Sequence, residues 1–161
     1  MTFRLAKARH PHEIAAAAVL FREYADWLGI DLTFQDFDSE LATLPGKYAP
    51  PVGELMLALS PAGDALGCVG VRPLDGAALC EMKRLYVRPA ARGLGIGRAL
   101  IEAIIRSAAA LGYAEMKLDT LPGMDSAAAL YREFGFTEVA AYYDNPFPGT
   151  LYLGRRLLPR P

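Results

Sequence analysis

Apolar residues recur along the chain at two spacings, and each change of spacing marks a change of expected structure. Ile14, Ala18, Phe21, Ala25 and Leu28 fall three or four positions apart, which predicts a helix opened by Pro11 and capped by Gly29. Thr2 to Ala8 reads as a short strand before it. A second helix is expected next, with Thr33 and Asp36 at capping-box-like spacing, Phe34, Phe37, Leu41 and Leu44 as its stripe, and Pro45-Gly46 as its stop. The period then drops to two. Leu55, Leu57 and Leu59 alternate with Glu54, Met56 and Ala58, residues 65 to 72 are the partner strand, and a two-residue Asp75-Gly76 turn leads into a strand at 78 to 87.

Helical spacing returns from Gly95 to Leu111, with Ile96, Leu100, Ala103, Ile104, Ala108 and Leu111 on one face and Arg98, Glu102 and Arg106 opposite. Glu115 to Thr120 is expected as a strand and 125 to 134 as a helix. Thr137 to Tyr143 and Thr150 to Leu157 would be two closing strands. The order is strand, two helices, three strands, helix, strand, helix, two strands, which is a mixed α/β pattern with an antiparallel meander at its centre.

Composition narrows the class. With 161 residues, a single domain spanning 1–161 is expected, and 53% hydrophobic against 22% charged residues is the balance of a soluble globular protein. A net charge of −1 gives no global attraction to nucleic acid or to an anionic membrane, so neither is expected as a partner. Arg4, Lys7 and Arg9 before the apolar run Ala15 to Phe21 imitate an export signal. Glu13 and Arg22-Glu23 interrupt it, and the run is too short to span a bilayer, so the cytoplasm is the expected compartment. With the Asp75-Gly76 turn, Cys80 would face Val71, leaving Cys68 roughly 10 Å along the strand and on the other face, beyond disulfide reach.

Between the strand ending at Val87 and the long helix lies Arg92-Gly93-Leu94-Gly95-Ile96-Gly97-Arg98. A helix start exposes unpaired N–H groups and the positive end of its dipole, and glycines there let an anion reach the bare backbone. Phosphate is the expected guest. A dinucleotide loop would need a third glycine at Arg98 or Leu100, and a nucleotide-triphosphate loop would need Gly-Lys followed by Ser or Thr; neither occurs. Arg92, Gly95 and Gly97 fit Arg/Gln-x-x-Gly-x-Gly/Ala instead, which resembles the coenzyme A pyrophosphate loop of the GNAT superfamily of N-acetyltransferases. Leu85-Tyr86-Val87-Arg88-Pro89 resembles the strand leading into that loop. Ala127-Ala128-Ala129-Leu130-Tyr131-Arg132-Glu133-Phe134-Gly135-Phe136 resembles the later helix, with Met124 where the family usually carries Asn.

The resemblance implies the GNAT acyl-CoA N-acyltransferase fold, a mostly antiparallel central sheet flanked by helices. It implies acetyl-CoA as co-substrate and no metal. The backbone from Gly93 to Ala99, Ile96 included, would cradle the pyrophosphate, Arg92 and Arg98 would supply charge, and Leu85 and Val87 would offer main-chain hydrogen bonds to the pantetheine arm. Tyr131 would donate a proton to the departing thiolate. Glu81, six residues before Val87, stands where some members carry a general base, with Asp119 and water chains as alternatives.

The chemistry sets the requirements. An amine with a pKa near 10.4 is free only about once in 2,500 molecules at pH 7, a deficit of roughly 4 to 5 kcal/mol, so something must take its proton. A phenol near 10 and a thiol near 8.5 differ by about 1.5 units, so full proton transfer between them costs about 2 kcal/mol. Tyr142, Tyr143, Asp144 and Asn145, with the acidic residues Asp36, Asp38 and Glu40, are candidates for an acceptor pocket for a cationic amine; a solvated helix face is the plain alternative. His10 and His12 are too few for a metal site. The expected reaction is acetyl transfer to a small or amino-acid-like amine by direct transfer in a ternary complex. A protein N-terminus or lysine as acceptor, and a non-catalytic coenzyme A sensor, are the alternatives. The oligomeric state stays open, a homodimer included.

Overall fold

The computed structural model describes residues 2–29, 32 and 36–157. The elements run β1 (Arg4–Lys7), α1 (Pro11–Leu28), α2 (Phe37–Ala42), β2 (Glu54–Leu59), β3 (Ala65–Pro73), β4 (Leu79–Val87), α3 (Ile96–Ala110), β5 (Glu115–Thr120), α4 (Asp125–Glu133), β6 (Thr137–Glu138) and β7 (Leu151–Arg156). Among the described residues seven strands form one sheet in the order β1-β2-β3-β4-β5-β7-β6. All neighbours are antiparallel except β4 and β5. This is the mixed α/β order, and the mostly antiparallel sheet, that the sequence leads one to expect. No helix among the described residues is long and apolar enough to cross a membrane.

Helices cover both faces. On one side Ile96, Leu100, Ile101 and Ile104 of α3 pack on Met56, Val69, Cys80 and Met82. On the other Ala17, Leu20 and Phe21 of α1 pack on Leu55, Leu57, Leu59 and Cys68. Strand β2 is therefore buried along both faces. The two cysteines are free and sit in different layers.

Four details differ from the sequence reading. The buried face of α1 centres on Ala17, Leu20 and Phe21 rather than on Ala18. The expected second helix runs only from Phe37 to Ala42, with Thr33 and Phe34 outside the described residues. Leu44 precedes a proline, which disfavours helical backbone, and the Thr43 hydroxyl closes the end by donating to the Ser39 carbonyl at 2.8 Å. The β3–β4 turn is longer than two residues. The Leu74 N–H donates to the Leu79 carbonyl at 3.0 Å, Ala78 takes a φ of 57°, and Cys80 faces Pro73 instead of Val71. A two-residue shift leaves every side chain on its expected face. The closing strand expected from Thr137 to Tyr143 stops at Glu138 because Tyr142 and Tyr143 turn away to hydrogen-bond Glu81 and Asp119, each at 2.6 Å.

The feature that shapes the centre of the sheet is a bulge in β4. Gly70 pairs with Lys83 and Cys68 with Tyr86, so Val69 alone spans Arg84 and Leu85. Arg84 absorbs the extra residue with a φ of 63°. For a residue with a Cβ this left-handed conformation costs about 1–2 kcal/mol. The Arg84 side chain, 1% exposed, holds it by donating from Nε and Nη2 to the two Glu40 oxygens at 2.9 and 3.0 Å. The guanidinium also lies 5.1 Å from the Phe37 ring centre. The bulge reverses the alternation of the strand. Leu85 and Val87 therefore join Cys80 and Met82 on the α3 side, and Tyr86 goes to the α1 side.

Burial pushes the Glu40 carboxyl up, but the Arg84 guanidinium bound to it outweighs this, so Glu40 titrates below the usual carboxylate range. The stabilisation from this pair is present above the ordinary carboxylate pKa and is lost as pH falls through the lowered folded-state value. Glu40→Gln is expected to cost roughly 3–5 kcal/mol in urea denaturation at neutral pH, because it removes the counter-charge of a buried guanidinium. The gap between wild type and variant should narrow in acid. A gap of the same size at both pH values would contradict this account of the pair.

Candidate functional site

Strand β4 leaves the sheet at Val87 and passes through a 3₁₀ turn at Pro89–Ala91 into the loop that opens α3. Arg88 fixes the exit by donating to both Glu23 oxygens, at 3.0 and 2.7 Å, and to the Ala65 carbonyl at 2.9 Å. Gly93 and Gly95 have φ values of 84° and 83°, a region that penalises any Cβ, and a Cβ at either would meet nothing within 4 Å. The glycines thus serve both the turn and an open approach to the backbone.

The first intrahelical bond is Ala99 N–H to the Gly95 carbonyl at 3.1 Å. The amides of Ile96, Gly97 and Arg98 therefore have no helical acceptor, and no acidic side chain lies in the first turn. Bare donors and the positive end of a four-turn helix converge on one spot, an arrangement suited to an anion.

A cleft of about 570 Å³ lies over this spot, walled by β4, the loop, α4 and Trp27. It brings together all eight residues that the sequence assigns to coenzyme binding: Leu85 and Val87 on the strand, and Arg92, Gly93, Gly95, Ile96, Gly97 and Arg98 on the loop. Of the six basic residues that surround the loop in sequence, only Arg92 and Arg98 border the cleft. Lys83 and Arg84 face ion-pair partners elsewhere, Arg88 is held by Glu23, and Arg106 pairs with Glu102 along α3. Arg92 donates from Nε to the Val87 carbonyl at 3.0 Å and lies 4.9 Å from the Trp27 ring centre. Arg98 pairs with Glu133 at 2.6 Å, but both side chains are 56% exposed and such a pair holds little. Trp27 escaped the sequence reading. It is the chain's only tryptophan and is half exposed, and its position late in α1 was the available clue.

At its inner end the cleft reaches a fork in the sheet. The parallel pairing of β4 with β5 ends at Glu81 opposite Lys117, while β5 stays paired with β7 as far as Thr120. Beyond Glu81, β4 and β5 no longer pair with each other among the described residues. A hollow of about 30 Å³ lies at the gap, and Leu85 and Met124 border both it and the large cleft, so the two adjoin. Tyr131 and Thr120 line this hollow. The Tyr131 ring stands edge-on to Phe136, and its hydroxyl has no hydrogen-bond partner among the described residues. Burial raises its pKa above that of an ordinary phenol. Thr120 Oγ1 is the one side-chain oxygen or nitrogen among the described residues that is both wholly shielded from solvent and without a partner.

Glu81 lies elsewhere. It is 2% exposed, accepts from Arg72 Nε at 3.2 Å and Tyr142 OH at 2.6 Å, and lines a separate hollow of about 360 Å³ with Asp36, Glu40, Tyr48 and Arg72. The acidic run is thus not one solvated face. Glu40 is buried under Arg84 and Arg72, Asp36 lines the hollow, and Asp38 is exposed on α2. Asp119 sits across the fork from Lys83 at 3.5 Å and accepts from Tyr143, which in turn accepts from Asn145 at 2.9 Å. Burial pushes the Asp119 carboxyl up, yet Lys83 and Tyr143 more than reverse this, so it titrates below the usual range. Burial lowers the Lys83 pKa. Burial and then Glu81 raise that of Tyr142, which keeps its proton.

Known proteins carry the same pattern. The sequence profile described as "Acetyltransferase (GNAT) domain" matches residues 53–138. An uncharacterized N-acetyltransferase of Schizosaccharomyces pombe is 46% identical, over 89% of this chain and 88% of that protein. Aminoglycoside N(6')-acetyltransferase type 1 of Klebsiella aerogenes is 33% identical, over 72% of this chain and 84% of its own. The structure of a GNAT superfamily phosphinothricin acetyltransferase from Sinorhizobium meliloti, in complex with AcCoA, superposes with a TM-score of 0.73 at 22% identity, covering 98% of this chain and 89% of that one. With its seven-stranded sheet, its glycine loop at the head of α3 and its Leu130-Tyr131…Gly135-Phe136 helix end, the chain belongs to the GNAT acetyltransferase family and is an N-acetyltransferase.

Proposed function

We propose that the protein moves the acetyl group of acetyl-CoA directly to the primary amine of a small or amino-acid-like molecule within a ternary complex. The observation that carries this reading is that the cleft over the unpaired amides at the head of α3 adjoins, across Leu85 and Met124, the fork lined by Tyr131. Acetyl-CoA supplies the activated thioester. The residues present suit it, because the bare donors at Gly93 to Arg98 match a diphosphate and the edge of β4 beyond its pairing with β5 matches an extended amide-bearing arm. Two similar proteins add support for a small acceptor, since those of Klebsiella and Sinorhizobium are named as acetyltransferases of an aminoglycoside and of phosphinothricin.

In this reading the amides from Gly93 to Arg98 anchor the diphosphate, with Arg92 and Arg98 as exposed counter-charges. Leu85 and Val87 align the arm, and an N–H on that edge of β4 polarises the acyl oxygen. Tyr131 hydrogen-bonds the departing sulfur. Because burial makes its phenol harder to ionise, sharing the proton is favoured over early full transfer. Glu81 takes the amine proton through the Tyr142 hydroxyl or a water, since its own oxygens already accept from Arg72 and Tyr142.

Gly95→Asp should abolish coenzyme A binding in calorimetry while leaving the circular dichroism spectrum unchanged, because it sets a side chain and a negative charge at the anion site. Unchanged affinity would overturn the loop assignment. Tyr131→Phe should lower kcat on the order of a hundredfold with little effect on KM for acetyl-CoA, measured by thiol release across a panel of amines. If no amine in the panel, peptides included, supports turnover and this variant changes nothing, a coenzyme A sensor is the better reading. Turnover confined to peptides would instead make the acceptor a protein.

A further inference from the structure

Thr120 ends β5 at the fork, is 4% exposed, and carries the buried hydroxyl that finds no partner among the described residues. A buried hydroxyl left unpaired is destabilising, and native chains retain such groups where something outside the chain satisfies them. The surroundings sharpen the point. Met82, Leu85, Leu118 and Met124 contribute apolar side chains to the same hollow, Tyr24 borders it from α1, and the charged residues that line it, Lys83, Arg84 and Asp119, are held in ion pairs, which leaves Thr120 and Tyr131 as its neutral hydroxyls on the side of α3 and α4. The hollow lies beside β4 beyond its pairing with β5 and adjoins the cleft with which it shares Leu85 and Met124.

We infer that the Thr120 hydroxyl is a ligand-positioning group that hydrogen-bonds an amide of the coenzyme's pantetheine arm where the arm enters the fork between β4 and β5. A hydroxyl suits an amide because it can either donate to the carbonyl or accept from the N–H. Placed on the rigid end of a central strand, it fixes the depth of the arm and so the position of the thioester relative to Tyr131. This placement rests on the reading that acetyl-CoA occupies the cleft.

The test compares wild type with Thr120→Val, which keeps the shape and removes the hydroxyl, and with Thr120→Ser, which keeps the hydroxyl. Calorimetric affinities are measured for coenzyme A and for its phosphoadenosine diphosphate fragment, which lacks the arm, together with the melting temperature of each ligand-free protein. Thr120→Val should weaken coenzyme A binding roughly five- to tenfold, leave the fragment unaffected and melt no lower than wild type, while Thr120→Ser should stay within about twofold of wild type. Equal coenzyme A affinity in wild type and Thr120→Val would overturn the inference while leaving the proposed function intact. So would an equal loss for coenzyme and fragment, or a lower melting temperature with unchanged affinity, which is the mark of a hydroxyl serving only the fold through a buried water. Failure of wild type itself to bind coenzyme A would overturn the proposed function, and this placement with it.

Discussion

One extra residue in β4 governs the layout of the site. Without the bulge at Arg84 and Leu85, strict alternation would send Tyr86 toward α3 and bury Leu85 and Val87 under α1. With it, Leu85 and Val87 face the cleft, and the strand bends away from β5 just past Glu81, where their pairing ends. The conformation is unfavourable for arginine, so the bulge depends on what its side chain gains. Glu40 supplies that by bidentate pairing in a buried position, which ties α2 to the centre of the sheet. A residue on a short helix over one face thereby fixes the geometry of a cleft on the other.

Charge is divided between the faces in a way that follows from this. On the side of α1 and α2, Glu40, Arg72, Arg84 and Glu81 compensate one another, and Lys83 offsets Asp119 across the fork. Tyr142 and Tyr143 cap two of these carboxylates and draw the segment before β7 over them. Apart from Glu81 and Tyr142, which the proposed reaction uses for proton transfer, these groups hold shape. On the side of α3 and α4 the polar groups include unpaired amides, the hydroxyls of Thr120, Ser126 and Tyr131 and two exposed arginines, which suits a long, mostly uncharged ligand with a charged end. A cationic acceptor would approach from the first side and the coenzyme from the second, meeting at the fork.

The elements framing the cleft were legible because their signals are local. The glycine loop declares itself through residues that only a strained turn and a bare helix start need, and α3, β5 and α4 end within a residue or so of where the apolar spacing stops. The rest depends on partners distant in sequence. Nothing near Arg84 announces a bulge, since no glycine stands there and the compensating carboxylate is 44 residues away. The acidic run at 36–40 looks solvated until Arg72 and Arg84 are brought over Glu40. The strand expected through Tyr143 has suitable β-formers, yet two tyrosine hydroxyls turn instead to carboxylates on β4 and β5. Trp27 and Thr120 carry no motif at all; only the folded chain sets one beside Arg92 and leaves the other's oxygen unpaired.

The position of the bound coenzyme is the central claim. A crystal structure of the protein with acetyl-CoA tests this directly. The diphosphate should rest on the amides between Gly93 and Arg98, with the arm running along the edge of β4 beyond its pairing with β5 and the sulfur near the Tyr131 hydroxyl. A coenzyme bound away from that loop, or one whose arm bypasses the gap between β4 and β5, would contradict it.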